Sequence, residues 1–195
     1  MPGRLRSPVF TVLLAALLTQ CSAPADGLSR EARDVASHAV ATYADSSVAT
    51  LADLIAFRTV RDQGITAADN PEFRAMTAYL ERMATAFGFD FTDHGVVVVI
   101  GLGDAADRLG LVTHADVQPA NPAKWAQDPF TLDTTSEPGR LIGRGVEDDK
   151  GPIVTALYAM RALRDRGVPL SRRIELIISY TEESDWTPFQ EFLAQ

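Results

Sequence analysis

The sequence predicts an α/β fold, a mixed, largely parallel sheet with helices on both faces. Two observations carry this. Short, nearly continuous apolar runs ("VVVVI", "LGLVT", "RIELIISY") alternate with segments whose apolar residues recur at helical spacing. Continuous rather than alternating apolarity points to strands buried on both faces. The chain has 195 residues, 46% of them hydrophobic, enough for one domain with a core and short for two.

At the N-terminus, Arg4 and Arg6 precede "VFTVLLAALL", the arrangement of an export signal and too short to span a bilayer comfortably. Residues 1–23 are therefore set aside as a signal peptide or lipoprotein signal, and residues 24–28 as a tether. In "LLTQCSAP" the single cysteine, Cys21, resembles a lipidated bacterial lipoprotein site, which would make it a membrane anchor. Ordinary cleavage after Ala23 is the competing reading. Either places the protein outside the cytoplasm, in the periplasm or on a membrane, and a lone cysteine forms no internal disulfide.

Ser29 is a candidate cap for a first helical region with Val48, Leu51, Leu54 and Ile55 on one face. "RDQGITAADNPEF" breaks it. A second helix starts near Pro71, shows Phe73, Met76, Leu80 and Met83 on one side, and stops at Gly88. The strands "VVVVI" and "LGLVT" follow, then a loop with Pro119, Pro122, Trp125 and Pro129. In "GPIVTALYAMRALRDRG" the stripe Ile153, Leu157, Met160 and Leu163 marks a third helix, closed by Gly167 and Pro169. "RIELIISY" is the last strand.

With 18 Lys plus Arg against 26 Asp plus Glu and a formal charge of -8, no basic tract suits nucleic acid, which is excluded as a partner. "GLGD" at 101–104 lacks the rest of a dinucleotide loop and reads as a turn. His38 and His94 have no metal-like neighbours, and Lys150 reads as a charge near an acidic cluster.

Three polar motifs fall where α/β sheets collect their sites, outside the carboxyl ends of strands. His114 ends one strand, "TEES" at 181–184 follows another, and "GRGVEDDKGP" at 143–152 precedes a helix. In extended chain residues two apart point the same way, so Asp116 is placed to accept from the His114 ring and select the nitrogen that faces a metal. Pro152 suits a first helical turn, Gly151 permits a tight approach, and the helix N-terminus favours ionised Asp148 and Asp149. Adjacent Glu182 and Glu183 diverge, one toward a metal and one toward a water as general base. Singly, "EDD" is more often a solvated cap and "EE" a wet loop; it is their ordered convergence that points to a site.

"THADVQP", "DPF", "LIGRGVEDDKGP", "ALYAMRAL" and "IELIISYTEES", in that order, resemble the co-catalytic zinc exopeptidases. That family comprises the dipeptidase V and carnosinase types, the aminoacylases, glutamate carboxypeptidase and succinyl-diaminopimelate desuccinylase. The resemblance runs from "LADLIAFRTV" at Leu51 to the last residue, and "DDKGP" and "TEESDW" are most similar to the dipeptidase branch. It implies a zinc-exopeptidase-like catalytic domain over residues 29–195 with two zinc ions: His114 on one, Asp148 bridging, Glu183 on the other. It further implies Asp116 orienting His114, Glu182 as general base, and a cis peptide between Asp148 and Asp149 although neither is proline. "THADVQP" departs from the family's more usual Gly-His and Val-Val-Pro neighbours without touching the ligands.

The implied reaction is hydrolysis of a small amide, with a dipeptide as the expected substrate. The family's remaining acidic ligand, last histidine and lid or dimerisation domain come later than Gln195. The resemblance therefore leads us to expect a fragment that is inactive alone, with one zinc position short of protein ligands, an uncovered crevice, exposed apolar surface, and homodimerisation only in the full-length form. Two rival readings stand: an aminoacylase or carboxypeptidase acting on an N-acyl amino acid or peptide, and a non-catalytic exported domain that binds metal or peptide.

Overall fold

A computed structural model describes residues 29–62 and 64–194. The signal, tether and Cys21 expectations lie outside the described residues. The chain divides into two compact units, residues 1–34 and 35–195. Of the first, residues 29–34 are described: they open helix α1 (Arg30–Ala56), where the Ser29 hydroxyl accepts the Ala32 N–H at 3.1 Å, the cap expected from sequence.

The second unit continues α1 and adds α2 (Pro71–Phe87), β1 (Asp90–Asp93), β2 (Val97–Leu102), β3 (Arg108–His114), α3 (Gly151–Asp165), β4 (Arg173–Ser179) and α4 (Thr187–Leu193). Helix α2 begins at a proline behind Asn70, whose side chain accepts the Glu72 N–H, and ends at Gly88 in the left-handed conformation, as proline-first and glycine-last helices do. Its buried face carries Phe73, Met76, Leu80 and Ala84.

The sheet order is β1-β2-β4-β3. β1 with β2 and β2 with β4 are antiparallel, and only β3 with β4 is parallel, so among the described strands the sheet is mixed but not largely parallel. The strand "DFTD", too short and polar to stand out in the sequence, is the source of one antiparallel pairing, and "VVVVI" lying between it and β4 is the source of the other. Val98, Ile100, Leu176 and Ile178 face the core that also takes Leu54, Phe73, Met76, Leu80, Leu157 and Met160. This is one contiguous apolar core, the main favourable term in folding.

Burial on both faces holds for β2 and fails for β3. Among the described residues β3 has a strand neighbour on one side only, and Leu109 and Val112 are 45% and 58% exposed. Among the described strands, therefore, the apolarity of "LGLVT" belongs to an edge. Beside this edge, Val48, Leu51, Leu111, Val146, Pro152 and Val154 line an apolar pocket of about 680 Å³. Among the described residues no helix is long and apolar enough to cross a membrane.

The parallel pairing matters most for chemistry. His114 lies opposite Ser179, so the loops leaving β3 and β4 start side by side at one end of the sheet.

Candidate metal centre

His114 is the last residue of β3, buried, with its ring exposed by only 8%. Its Nδ1 stands 3.0 Å from the main-chain oxygen of Asp116. A carbonyl oxygen only accepts, so Nδ1 carries the hydrogen and Nε2 turns outward. The ring is thus oriented through the Asp116 backbone and not through its side chain: the nearer carboxylate oxygen is 3.6 Å from Nδ1.

The Asp116 carboxylate is committed elsewhere. Fully buried, it accepts the backbone N–H of Glu182 through Oδ1 at 3.1 Å and that of Glu183 through Oδ2 at 2.9 Å. One side chain from the β3 loop therefore fixes the backbone of the β4 loop. Thr59, just past α1, braces the same region: its hydroxyl donates to the Ala115 carbonyl at 2.6 Å, and its own carbonyl accepts the Val117 N–H at 3.0 Å.

The third motif is a turn, Val146–Lys150, ahead of α3. Gly145 before it has φ 87°, where a side chain is strained, and a Cβ there would lie 2.9 Å from Val117. Gly151 donates its N–H to the Val146 carbonyl, and a Cβ on it would meet that oxygen at 2.1 Å. The tight approach expected of Gly151 is present, and so is the cis peptide between Asp148 and Asp149.

The two aspartates face different partners. Asp148 Oδ1 reaches His114 Nε2 at 2.9 Å, while Asp149 Oδ2 accepts the His114 backbone N–H at 3.1 Å and ties the turn to β3. Burial raises the Asp149 carboxyl above its ordinary value, opposed by that hydrogen bond and by the charge of His114.

Lys150 is not a surface charge near acids. It is fully buried, and its ammonium donates to the carbonyls of Leu54 at 2.9 Å and Phe57 at 2.7 Å at the end of α1. Burial pushes it down to about 7, against a pull upward from Glu72. Nothing in a sequence separates such a lysine from a solvated one; the only signal is its place in the turn.

The two glutamates diverge. Glu182 Oε2 lies 3.7 Å from His114 Nε2, and burial lifts its carboxyl above the ordinary value, with His114 opposing and Glu183 adding to the lift. Glu183 turns the other way, its Oε2 accepting Gln118 Nε2 at 2.9 Å. Gln118 is a contact that the sequence reading missed.

Asp148 Oδ1 and Glu182 Oε2 thus both lie within 3.7 Å of His114 Nε2. With the ring hydrogen on Nδ1, both Nε2 and Asp148 Oδ1 present lone pairs to each other, and a positive centre must stand between them. A proton is one: although burial pulls the imidazole down, hydrogen bonds to Asp116 and Asp148 outweigh it and raise His114 to about 9. A divalent cation is the other, and imidazole with carboxylates is the donor chemistry zinc takes. In donor type the residues fit such an ion. Among the described residues no group of three or more His, Cys, Asp or Glu side chains is already arranged around one point, with Glu183 turned to Gln118 and Asp116 bound to backbone N–H groups.

Residues 110–188 match the family described as peptidase family M20/M25/M40. A beta-Ala-Xaa dipeptidase of Lactobacillus delbrueckii subsp. lactis is 38% identical over 122 residues, 61% of this chain and 25% of its own length. A putative dipeptidase of Staphylococcus aureus is 37% identical over 153 residues, 75% of this chain and 32% of its length. Among solved structures, human carnosine dipeptidase 1 matches with a TM-score of 0.68 at 25% identity, over 83% of this chain and 37% of that one. The chain therefore spans about a quarter to a third of the length of these curated relatives.

Proposed function

We propose, for a chain whose residues 110–188 match peptidase family M20/M25/M40, that the protein hydrolyses a small amide, a dipeptide, at a zinc centre outside the ends of β3 and β4. The observation that carries this reading is the pair His114 Nε2 and Asp148 Oδ1, 2.9 Å apart, with Nδ1 committed to the Asp116 carbonyl. The relatives named as dipeptidases support the substrate class.

In this reading His114, Asp148 and Glu183 hold zinc, Asp148 bridging two ions. Zinc, when bound, polarises the scissile carbonyl and makes water acidic. Glu182 takes the proton from the attacking water and passes it to the leaving amine. A carboxyl lifted by burial, and kept near but out of hydrogen-bonding contact with His114, is suited to both transfers. Asp116 positions: it aims the His114 ring and fixes the backbone from which both glutamates project. Residues 1–23, read as an export or lipoprotein signal, carry the protein out of the cytoplasm.

The test is Glu182→Gln in the full-length protein, assayed with dipeptides and N-acyl amino acids beside zinc content. Turnover is expected to fall by about 10²–10⁴-fold, the range of a general base, with zinc retained. Unchanged turnover sinks the base assignment, and preference for N-acyl amino acids moves the substrate to the aminoacylase type.

A further inference from the structure

Gln118 spends its whole donor capacity on one residue. Its amide nitrogen donates to Glu183 Oε2 at 2.9 Å and to the Glu183 main-chain oxygen at 3.0 Å, and a primary amide has two N–H bonds to give. The Glu183 N–H is already held by Asp116 Oδ2 at 2.9 Å. Glu183 is therefore held at its nitrogen, its carbonyl and its carboxylate by two residues of a single segment, Asp116 and Gln118.

Its neighbour provides the contrast. Glu182 has its N–H held by the same aspartate, but its carboxylate comes no nearer to His114 Nε2 than 3.7 Å. Gln118 thus holds the Glu183 carboxylate by a hydrogen bond, whereas that of Glu182 has the 3.7 Å approach to His114. Gln118 and Glu183 also share the wall of a pocket of about 220 Å³ with Arg61, Asp62, Val117 and Ser184, so the clamped carboxylate borders open space.

We propose that Gln118 is a positioning residue for a divalent cation held by Glu183. It occupies Oε2 and restrains the side chain, leaving Oε1 as the oxygen not engaged by Gln118. The inference rests on the reading of Glu183 as a ligand. Outer partners of this kind change metal affinity by about 10–100-fold, because a ligand already ordered loses less freedom when the ion arrives.

The experiment measures zinc affinity of the 195-residue chain by competition with a chromophoric chelator. The unaltered protein is compared with Gln118→Leu, Glu183→Ala and the double variant. Gln118→Leu keeps the size of the side chain and removes the donors, at an exposed position where folding is retained and circular dichroism verifies it. Zinc affinity is expected to fall by about 10–100-fold in Gln118→Leu. The same substitution is expected to change nothing once Glu183 is alanine, the signature of one residue acting through another. Gln118→Leu binding zinc as tightly as the unaltered chain overturns the proposal, as does an equal loss in both backgrounds. A chain whose zinc affinity is untouched by Glu183→Ala removes Glu183 from the ligand set, and one that binds no zinc overturns the metal reading itself, each taking the inference with it.

Discussion

At the ends of β3 and β4, one buried carboxylate holds the backbone: Asp116 accepts the N–H groups of Glu182 and Glu183. In the Val146–Lys150 turn beside it, backbone geometry holds the carboxylates. Gly145 at φ 87° and Gly151 against the Val146 carbonyl shape the chain, and Lys150 anchors it to the end of α1 from the opposite side. The first region depends on charge in a dry place, where a bond to an ionised group is worth more than a neutral one. The second depends on excluded volume. Two unrelated devices thus bring Asp148 and His114 to 2.9 Å.

Four substitutions separate these devices, from the largest expected effect to the smallest. Asp116→Ala removes two charge-assisted hydrogen bonds to partly buried backbone, each worth about 1.5–3 kcal/mol, so a loss of about 3 kcal/mol or more is expected in urea unfolding. A loss below about 1 kcal/mol contradicts the role given to this carboxylate. Gly151→Ala places a methyl on the Val146 oxygen and forces the turn to shift. About 1–3 kcal/mol is expected, together with weaker zinc binding, and full retention of both refutes the steric account.

Lys150→Met is expected to cost about 1 kcal/mol. Relief of a buried ammonium offsets part of the lost bonding, and the Leu54 and Phe57 carbonyls keep the N–H groups of Phe57 and Thr59 as donors. A stabilised variant means that desolvation outweighed the two bonds. The smallest effect lies in the loop that feeds the turn. There the Ser136 side chain and the Thr135 and Ser136 N–H groups hold the Asp133 carboxyl well below the ordinary range. Its folded value lies below its unfolded one, so its contribution is present above about pH 4 and is lost as the pH falls from there through the folded value. The stability gap between the protein and Asp133→Asn should be constant near neutrality and close on acidification. A gap independent of pH rules this out.

Much of this was legible from the chain. His114, Asp148, Glu182 and Glu183 stand at the ends of apolar runs or next to a helix start, and a strand end or a proline-first helix is a local feature of sequence. The resemblance to zinc exopeptidases added the cis Asp148–Asp149 bond, which no propensity argument reaches. Three features were not legible: the antiparallel pairing of β1 and β2, the exposure of β3, and the burial of Lys150. Each depends on what lies opposite in space.

Sequence by itself determined where α1, α2 and α3 begin, where α2 and α3 end, and which residue types lie at one end of the sheet. Capping, proline and glycine preferences and apolar periodicity act over a few residues and need no partner. Tertiary structure decided which atom of Asp116 aims the His114 ring, why Asp148 and Asp149 face different groups, and that Gln118 fixes Glu183 while Glu182 lies beside His114. Those outcomes are set by hydrogen bonds between segments far apart in the chain, such as those that Asp116 accepts from N–H groups 66 and 67 positions further along. A donor finds its acceptor only after the chain has folded.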